Sequence, residues 1–215
     1  MSIAKFAVPV LALIALGGCN KTGEIEAIGG VGITAVRSPC PHVAVPAGTG
    51  DITSFNPPAS REAAAIDVVA VLTNVTSTCD DSGEQVVTTI NFDVQARRAS
   101  AEGARTVSFP YFVTVVRGGT SVTAKRIGRV TVNFEPGQLR ASAKGTATTQ
   151  VSRAAATLPA DVRERLTRKR KPGDTDAATD PLADPAIRQS VLSATFEALV
   201  GFQLTDDQLK YNVTR

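Results

Sequence analysis

The sequence predicts an all-β chain folded as an antiparallel β-sandwich, and three observations carry that expectation. Stretches of strict apolar/polar alternation recur between Ile66 and Leu204, the period-two signature of half-buried strands. Short turns rich in Gly and Pro separate them. No repeated strand–helix unit of the kind that builds a parallel sheet occurs. At 215 residues the chain suits one domain. Hydrophobic residues make up 43% and charged residues 20%, which is enough for a packed core. Aromatic residues are only 5%, so the core must rest on Val, Ala, Ile and Leu around a few Phe.

The first elements precede the sandwich. Residues Met1 to Lys5 carry one positive charge, and Phe6 to Leu16 is an apolar run broken only by Pro9. That run is too short for a spanning helix, which takes about 20 residues. A basic start, a short apolar stretch and small residues at its end are the parts of a secretory signal. The run closes Leu16-Gly17-Gly18-Cys19, followed by Asn20. This resembles the lipobox of bacterial lipoproteins, in which Leu and two small residues precede a Cys. The resemblance is confined to residues 1–20. It implies that residues 1–18 are a signal peptide, that the Cys19 thiol takes a diacylglycerol, and that the new amino group is open to a further acyl chain. Two or three chains anchor stably where one is marginal, at about 0.8 kcal/mol per buried CH₂. Asn20 in place of Asp favours the outer membrane by analogy, so the chain is expected in the bacterial envelope, facing the periplasm.

Removing residues 1–18 changes the reading of three cysteines. Cys19 is the anchor, and Cys40 and Cys79 remain as a pair in an oxidising compartment, which predicts a Cys40–Cys79 disulfide. A loop of that size is worth about 3–4 kcal/mol in the chain-entropy model. Cys40, His42 and Cys79 would be the competing metal ligands, but zinc wants four and no fourth is evident. No metal site is assigned, no cofactor is expected, and His42 reads as an ordinary surface or turn residue.

The mature chain then divides into a tether over residues 19–34, marked by Gly29, Gly30 and Gly32, and one domain over residues 35–215. Residues 37–61 hold Pro39, Pro41, Pro46, Pro57 and Pro58 and read as irregular surface chain. Ile66 to Val75 is a β-branched run, and Asp80-Asp81-Ser82-Gly83 is a turn. Val86, Thr88, Ile90, Phe92 and Val94 share one strand face. Val107, Phe109, Tyr111, Val113 and Val115 share another, with Pro110 implying an edge position or a bulge. Arg117-Gly118-Gly119-Thr120 is a hairpin signal, followed by the face of Val130, Val132 and Phe134. Glu135-Pro136-Gly137-Gln138 places Pro and Gly at the centre of a type II turn. Leu139, Ala141, Ala143, Gly145 and Ala147 form a small-residue face that needs a bulky cover, with Phe92 and Phe134 as the candidates.

Residues 152–186 interrupt the alternation and read as an exposed, charged loop insertion, with one short helix after Pro159 marked by Val162 and Leu166. Alternation resumes over Ala194, Phe196, Ala198, Val200, Phe202 and Leu204. Thr205-Asp206-Asp207-Gln208 is a capping-box pattern opening a short C-terminal helix, with a two-residue hairpin at Asp206-Asp207 as the competing reading. Taken together the strands resemble an immunoglobulin-like or fibronectin-like sandwich. The likeness is architectural, since a chain without Trp lacks the Cys-Trp-Cys signature of antibody domains.

Chemistry-bearing patterns are few. The Gly pairs at 29–30 and 118–119 lack the Lys-Ser/Thr of a phosphate loop, and no nucleophile elbow is present. Asp80, Asp81 and Glu84 lack the alternating ligand spacing of a calcium loop, so a solvated turn is favoured. The net charge of +3 is too weak to imply nucleic-acid binding. The outstanding feature is the basic run of Arg163, Arg165, Arg168, Lys169, Arg170 and Lys171, followed by Asp174, Asp176, Asp180 and Asp184. Such cations are candidate contacts for an anionic lipid or an envelope protein, at about 1 kcal/mol per residue near an anionic surface. The alternative is a solvated loop balanced by its own acidic stretch. These features favour a non-enzymatic, lipid-anchored binding or structural module over a carrier of apolar ligands or an envelope hydrolase. Alkylation of the mature chain without reductant, read by intact mass, is expected to leave Cys40 and Cys79 unmodified; two alkylated thiols there would remove the disulfide.

Overall fold

A computed structural model describes residues 37–214, which places Cys19 and the tether outside the described residues. Eight strands form two four-stranded sheets packed as a sandwich. They are β1 (His42–Ala44), β2 (Asp51–Phe55), β3 (Ile66–Asp80), β4 (Gln85–Arg98), β5 (Arg105–Arg117), β6 (Ser121–Phe134), β7 (Arg140–Ser152) and β8 (Phe196–Phe202). One sheet runs β1-β8-β5-β6 and the other β2-β3-β4-β7. The chain crosses between sheets at β1–β2, β4–β5, β6–β7 and β7–β8, so β4 pairs with β7 while β5 pairs with β8. All neighbours are antiparallel except β1, which lies parallel to β8.

The alternating residues turn inward as their period demands. Ile90, Phe92 and Val94 face Phe109, Val132, Phe134, Val200 and Phe202 across the layer, all buried. The small-residue strand is covered as expected. Phe92 pairs in register with Gly145, and a Cβ on that glycine would meet the Phe92 ring at 2.3 Å. Tyr111 repeats the device over Gly128, where a Cβ would meet the ring at 2.5 Å. The two rings meet edge to face at 5.1 Å, and the Tyr111 hydroxyl donates to the Thr146 carbonyl at 2.9 Å, closing the sandwich from β5 to β7. Phe134 instead lies under the Arg98 guanidinium, 5.2 Å from its ring centre.

Turn chemistry follows the sequence closely. Gly118 and Gly119 both have positive φ at the β5–β6 hairpin, and Gly137 has φ +81° with Gln138 N–H donating to Glu135 O at 3.0 Å. The C-terminal helix α4 (Asp206–Thr214) opens on a reciprocal box, Thr205 N–H to Gln208 Oε1 at 3.0 Å and Gln208 N–H to Thr205 Oγ1 at 3.3 Å. Asn212 on this helix donates to the carbonyls of Gly48 and Asp51, each at 2.8 Å, clamping the segment that crosses from β1 to β2.

Three expectations are corrected. Residues 37–61 are not all irregular: β1 and β2 lie there, with Ile52 and Thr53 buried against β3. Strands this short show no periodicity above a Pro- and Gly-rich background, and their pairing comes from the long neighbour. Pro110 is on no edge, since β5 sits between β6 and β8. It is accommodated because the β8 ladder ends at the Tyr111–Phe202 pair, beyond which the Pro110 carbonyl accepts from Gln203 N–H at 2.9 Å. The insertion is only partly an exposed loop: the expected helix after Pro159 is present, and residues 168–180 are mostly exposed turns, but it is not the only helix. It folds into α1 (Arg153–Ala156), α2 (Ala160–Thr167) and α3 (Pro185–Ser193), with Val162, Leu166, Ile187 and Val191 buried together.

Arg98 is a charged residue whose parity places it on the inner face of β4. It is 1% exposed. Its Nε donates to Gln138 O at 2.7 Å, and Nη2 donates to Ala101, Gly103 and Glu135 carbonyls at 2.9–3.1 Å. A buried charge is tolerable here because carbonyl dipoles replace water around it. Arg98→Ala strands those acceptors and is expected to lower stability by about 2–4 kcal/mol. Its exposed neighbour Arg97→Ala is expected to change stability by under about 0.5 kcal/mol. Urea midpoints at unchanged slope distinguish the two.

Candidate functional site

The candidate site lies at the end of the sandwich where the described chain begins. Cys40 and Cys79 are joined in a disulfide across 39 residues, tying the segment before β1 to the tip of β3. Next to it the β3–β4 turn is shaped by Asp80, whose Oδ1 accepts from the Ser82 backbone N–H at 3.0 Å and hydroxyl at 2.7 Å. Those bonds, the hydroxyl first, hold the Asp80 carboxyl below its ordinary range.

The helical insertion is bolted to the same end. Arg153 N–H donates to Glu84 O at 2.8 Å and its guanidinium to Ser82 O at 3.2 Å. Ala156 packs with Val115, Val151 and Phe196. At the far end of the insertion, Arg117 Nε donates to Ser193 O at 2.5 Å, and Arg37 Nη2 donates to Thr195 Oγ1 at 2.8 Å. These contacts enclose a cleft of about 260 Å³ lined by Arg37, Arg153 and Arg163, with Asp81 as its one carboxylate and Pro39, Leu158 and Leu166 among its apolar walls.

The basic run of the sequence is sorted by this geometry rather than presented as one patch. Arg165 pairs with Asp184 at 2.9 Å, and Arg168 pairs with Asp176. Arg170 departs from the expected surface role: it is 3% exposed, with Nε 3.5 Å from Asp176 and Nη2 donating to Arg165 O at 3.3 Å. The chain turns back after α2 ends, so this guanidinium tucks under the helix terminus, where carbonyls and a carboxylate favour a cation. Arg163, Lys169 and Lys171 are exposed and make no ion pair among the described residues. Of these, Arg163 joins the cleft.

The acidic stretch is consumed structurally, residue by residue. Asp174 accepts from Lys171 N–H at 2.9 Å, and Asp180 accepts from Leu182 N–H at 2.9 Å. Asp184 caps α3 through Ala186 N–H at 2.8 Å. The Asp180-Pro181 and Asp184-Pro185 dipeptides are N-cap followed by Pro at the first helical position, a helix-start signal present in the sequence itself. A second cleft beyond α2 gathers Asp161, Glu164, Asp176, Asp180 and Asp184 against Arg165, Arg168 and Arg170. Helix α2 therefore separates a cleft of three arginines and one aspartate from one in which carboxylates outnumber arginines five to three.

The other titrating pairs are structural. Arg105 holds Asp67 in a two-pronged contact at 2.6 and 2.5 Å, and that hydrogen bonding lowers the Asp67 carboxyl. Partial desolvation raises Asp176, but the charge of Arg168, its hydrogen bond and the charge of Arg170 outweigh it. Asp184 is lowered first by the Ala186 N–H and then by Arg165. No group of three or more His, Cys, Asp or Glu able to hold a metal occurs among the described residues. No described helix is long and apolar enough to cross a membrane.

No protein-family model, curated protein or solved structure matches the chain, so its class rests on the fold and the site alone: a disulfide-tied β-sandwich with a helical insertion and a basic cleft at its N-terminal end.

Because folding lowers Asp67, Asp80, Asp176 and Asp184, their stabilisation is complete above the ordinary aspartate range and lost as pH falls through the lowered values. The thermal midpoint is expected to hold steady down to about pH 4 and to drop below it. Asp184→Asn keeps a capping acceptor without the charge, so it should reduce stability at neutral pH and make the acid drop shallower.

Proposed function

We propose that the chain is a lipid-anchored bacterial envelope protein, held in the outer membrane by acyl chains on Cys19. Its immunoglobulin-like sandwich acts in the periplasm as a binding or structural module without enzymatic chemistry. The lipobox-like Leu16-Gly17-Gly18-Cys19 supports the anchor. The interlocked pairs, β4 with β7 and β5 with β8, support the immunoglobulin-like comparison; the parallel β1–β8 pair departs from it.

The observation that favours a surface-binding module over a carrier is the filled layer between the sheets. Phe92 is closed onto Gly145, Tyr111 onto Gly128, and Phe109 meets Phe202 at 5.9 Å. A carrier needs an apolar cavity at that place, and the clefts described above open on the outside of the molecule. Strand addition, where it contributes, belongs to edge strand β6 rather than to the Pro110 strand. There Ser121–Ile127 is exposed, with Val122 and Ile127 about three-fifths accessible. Lys125, Arg126 and Arg129 on that edge guard it against unselective pairing.

Fractionation of cells expressing Cys19→Ala tests the anchor. Release of the protein into the soluble fraction is expected, and continued dependence on detergent would contradict lipidation.

A further inference from the structure

We infer that the cleft of Arg37, Arg153 and Arg163 seats the phosphate of an anionic phospholipid in the leaflet to which Cys19 tethers the chain. The inference rests on the lipid-anchored reading and adds to it a defined contact between the folded domain and the membrane.

Three facts carry it. First, Arg37 comes from a part of the sequence remote from Arg153 and Arg163, so their lining of one cleft is a product of the fold. Arg37 and Arg153 are each held by one hydrogen bond, to Thr195 and Ser82, which positions them while leaving further N–H donors open. Planar guanidinium forks match phosphate oxygens better than ammonium groups do. Secondly, charge neutralisation stops at this cleft. Arg165, Arg168 and Arg170 are all engaged by aspartates, whereas Arg37, Arg153 and Arg163 form no ion pair among the described residues. Three guanidiniums against the single carboxylate of Asp81 leave an excess of positive charge in the cleft that an anion relieves. Thirdly, the tether enters here. Arg37 lies eighteen residues after Cys19, a span of at most about 60 Å when fully extended. The apolar walls Pro39, Leu158 and Leu166 suit the glycerol end of a lipid headgroup as well as its phosphate. Lys169 and Lys171, exposed and without ion pairs on the same basic segment, add to the attraction for an anionic surface.

The test uses the mature chain, residues 19–215, carrying Cys19→Ser, so that neither acylation nor the apolar run Phe6 to Leu16 can hold it on vesicles. Flotation is measured with phosphatidylcholine vesicles, with and without phosphatidylglycerol, and with inorganic phosphate as a soluble competitor. Binding should require phosphatidylglycerol and weaken with salt. Arg163→Ala should reduce partition about fivefold, and Arg37→Ala combined with it should reduce it further. Arg140→Ala removes the same charge from the opposite end of β7 and should leave partition unchanged. Arg163 makes no side-chain hydrogen bond that folding needs, so unaltered thermal unfolding of Arg163→Ala and Arg163→Glu would keep the result interpretable. Equal binding to neutral vesicles, or equal losses for Arg163→Ala and Arg140→Ala, would overturn the inference. Displacement by inorganic phosphate at equal affinity would assign the cleft to a free anion and overturn it as well. Failure of the Cys19→Ala fractionation would remove the anchor, and it would be seen separately, because the vesicle measurement does not depend on Cys19.

Discussion

The Cys40–Cys79 bond fixes one end of this molecule, and most of what is distinctive there depends on it. Cys40 precedes β1 in one sheet and Cys79 lies near the end of β3 in the other, so the bond joins the two layers directly. Closing a loop of this length removes about 4 kcal/mol of unfolded-state entropy in the chain-entropy model. It also holds the segment upstream of Cys40 against the sandwich, which lets Arg37 reach Thr195 at the end of the helical insertion. The β3–β4 turn, stapled by the same bond, is where Arg153 finds Ser82 and Glu84. Three segments far apart in sequence thus share one edge.

On that edge the insertion is a small folded unit rather than slack chain. Helices as short as α2 and α3 are unstable alone in water, and each is stabilised by burying Val162, Leu166, Ile187 and Val191 against the other. The aspartates then do local work, as caps and ion-pair partners, that fixes where the helices start and how the chain returns after α2. Their charge is used on one side of α2 only. The other side is left basic, and the field of the molecule gains a direction that its net charge of +3 does not reveal.

At the opposite end the order comes from a different source. Arg98 gathers the 101–103 and 135–138 turns around one buried guanidinium. Helix α4 is fastened by Asn212 and by Tyr211 stacked edge to face on Phe55 at 5.1 Å. Between the two ends the inter-sheet layer is filled by aromatic rings, Phe92 over Gly145, Tyr111 over Gly128, and Phe109 against Phe202. With the interior occupied, the clefts of the molecule open on its outside, the basic one at the disulfide end.

Much of the sandwich was legible in the sequence because alternation over a dozen residues has few other meanings. The long strands, the Gly118-Gly119 and Pro136-Gly137 turns and the Thr205–Gln208 box all follow from local spacing. The pairing of Cys40 with Cys79 was likewise readable from the sequence. What local spacing does not contain is which remote groups meet. The strands β1 and β2 are too short to carry a period and exist because β8 and β3 offer them backbone partners. The sequence shows Arg163 to Lys171 as one continuous basic block. Only the folded chain shows that Arg165, Arg168 and Arg170 are neutralised or buried while Arg163 lines a cleft with Arg37 and Arg153. Coulomb interactions depend on distance in space, and the sequence alone records only distance along the chain.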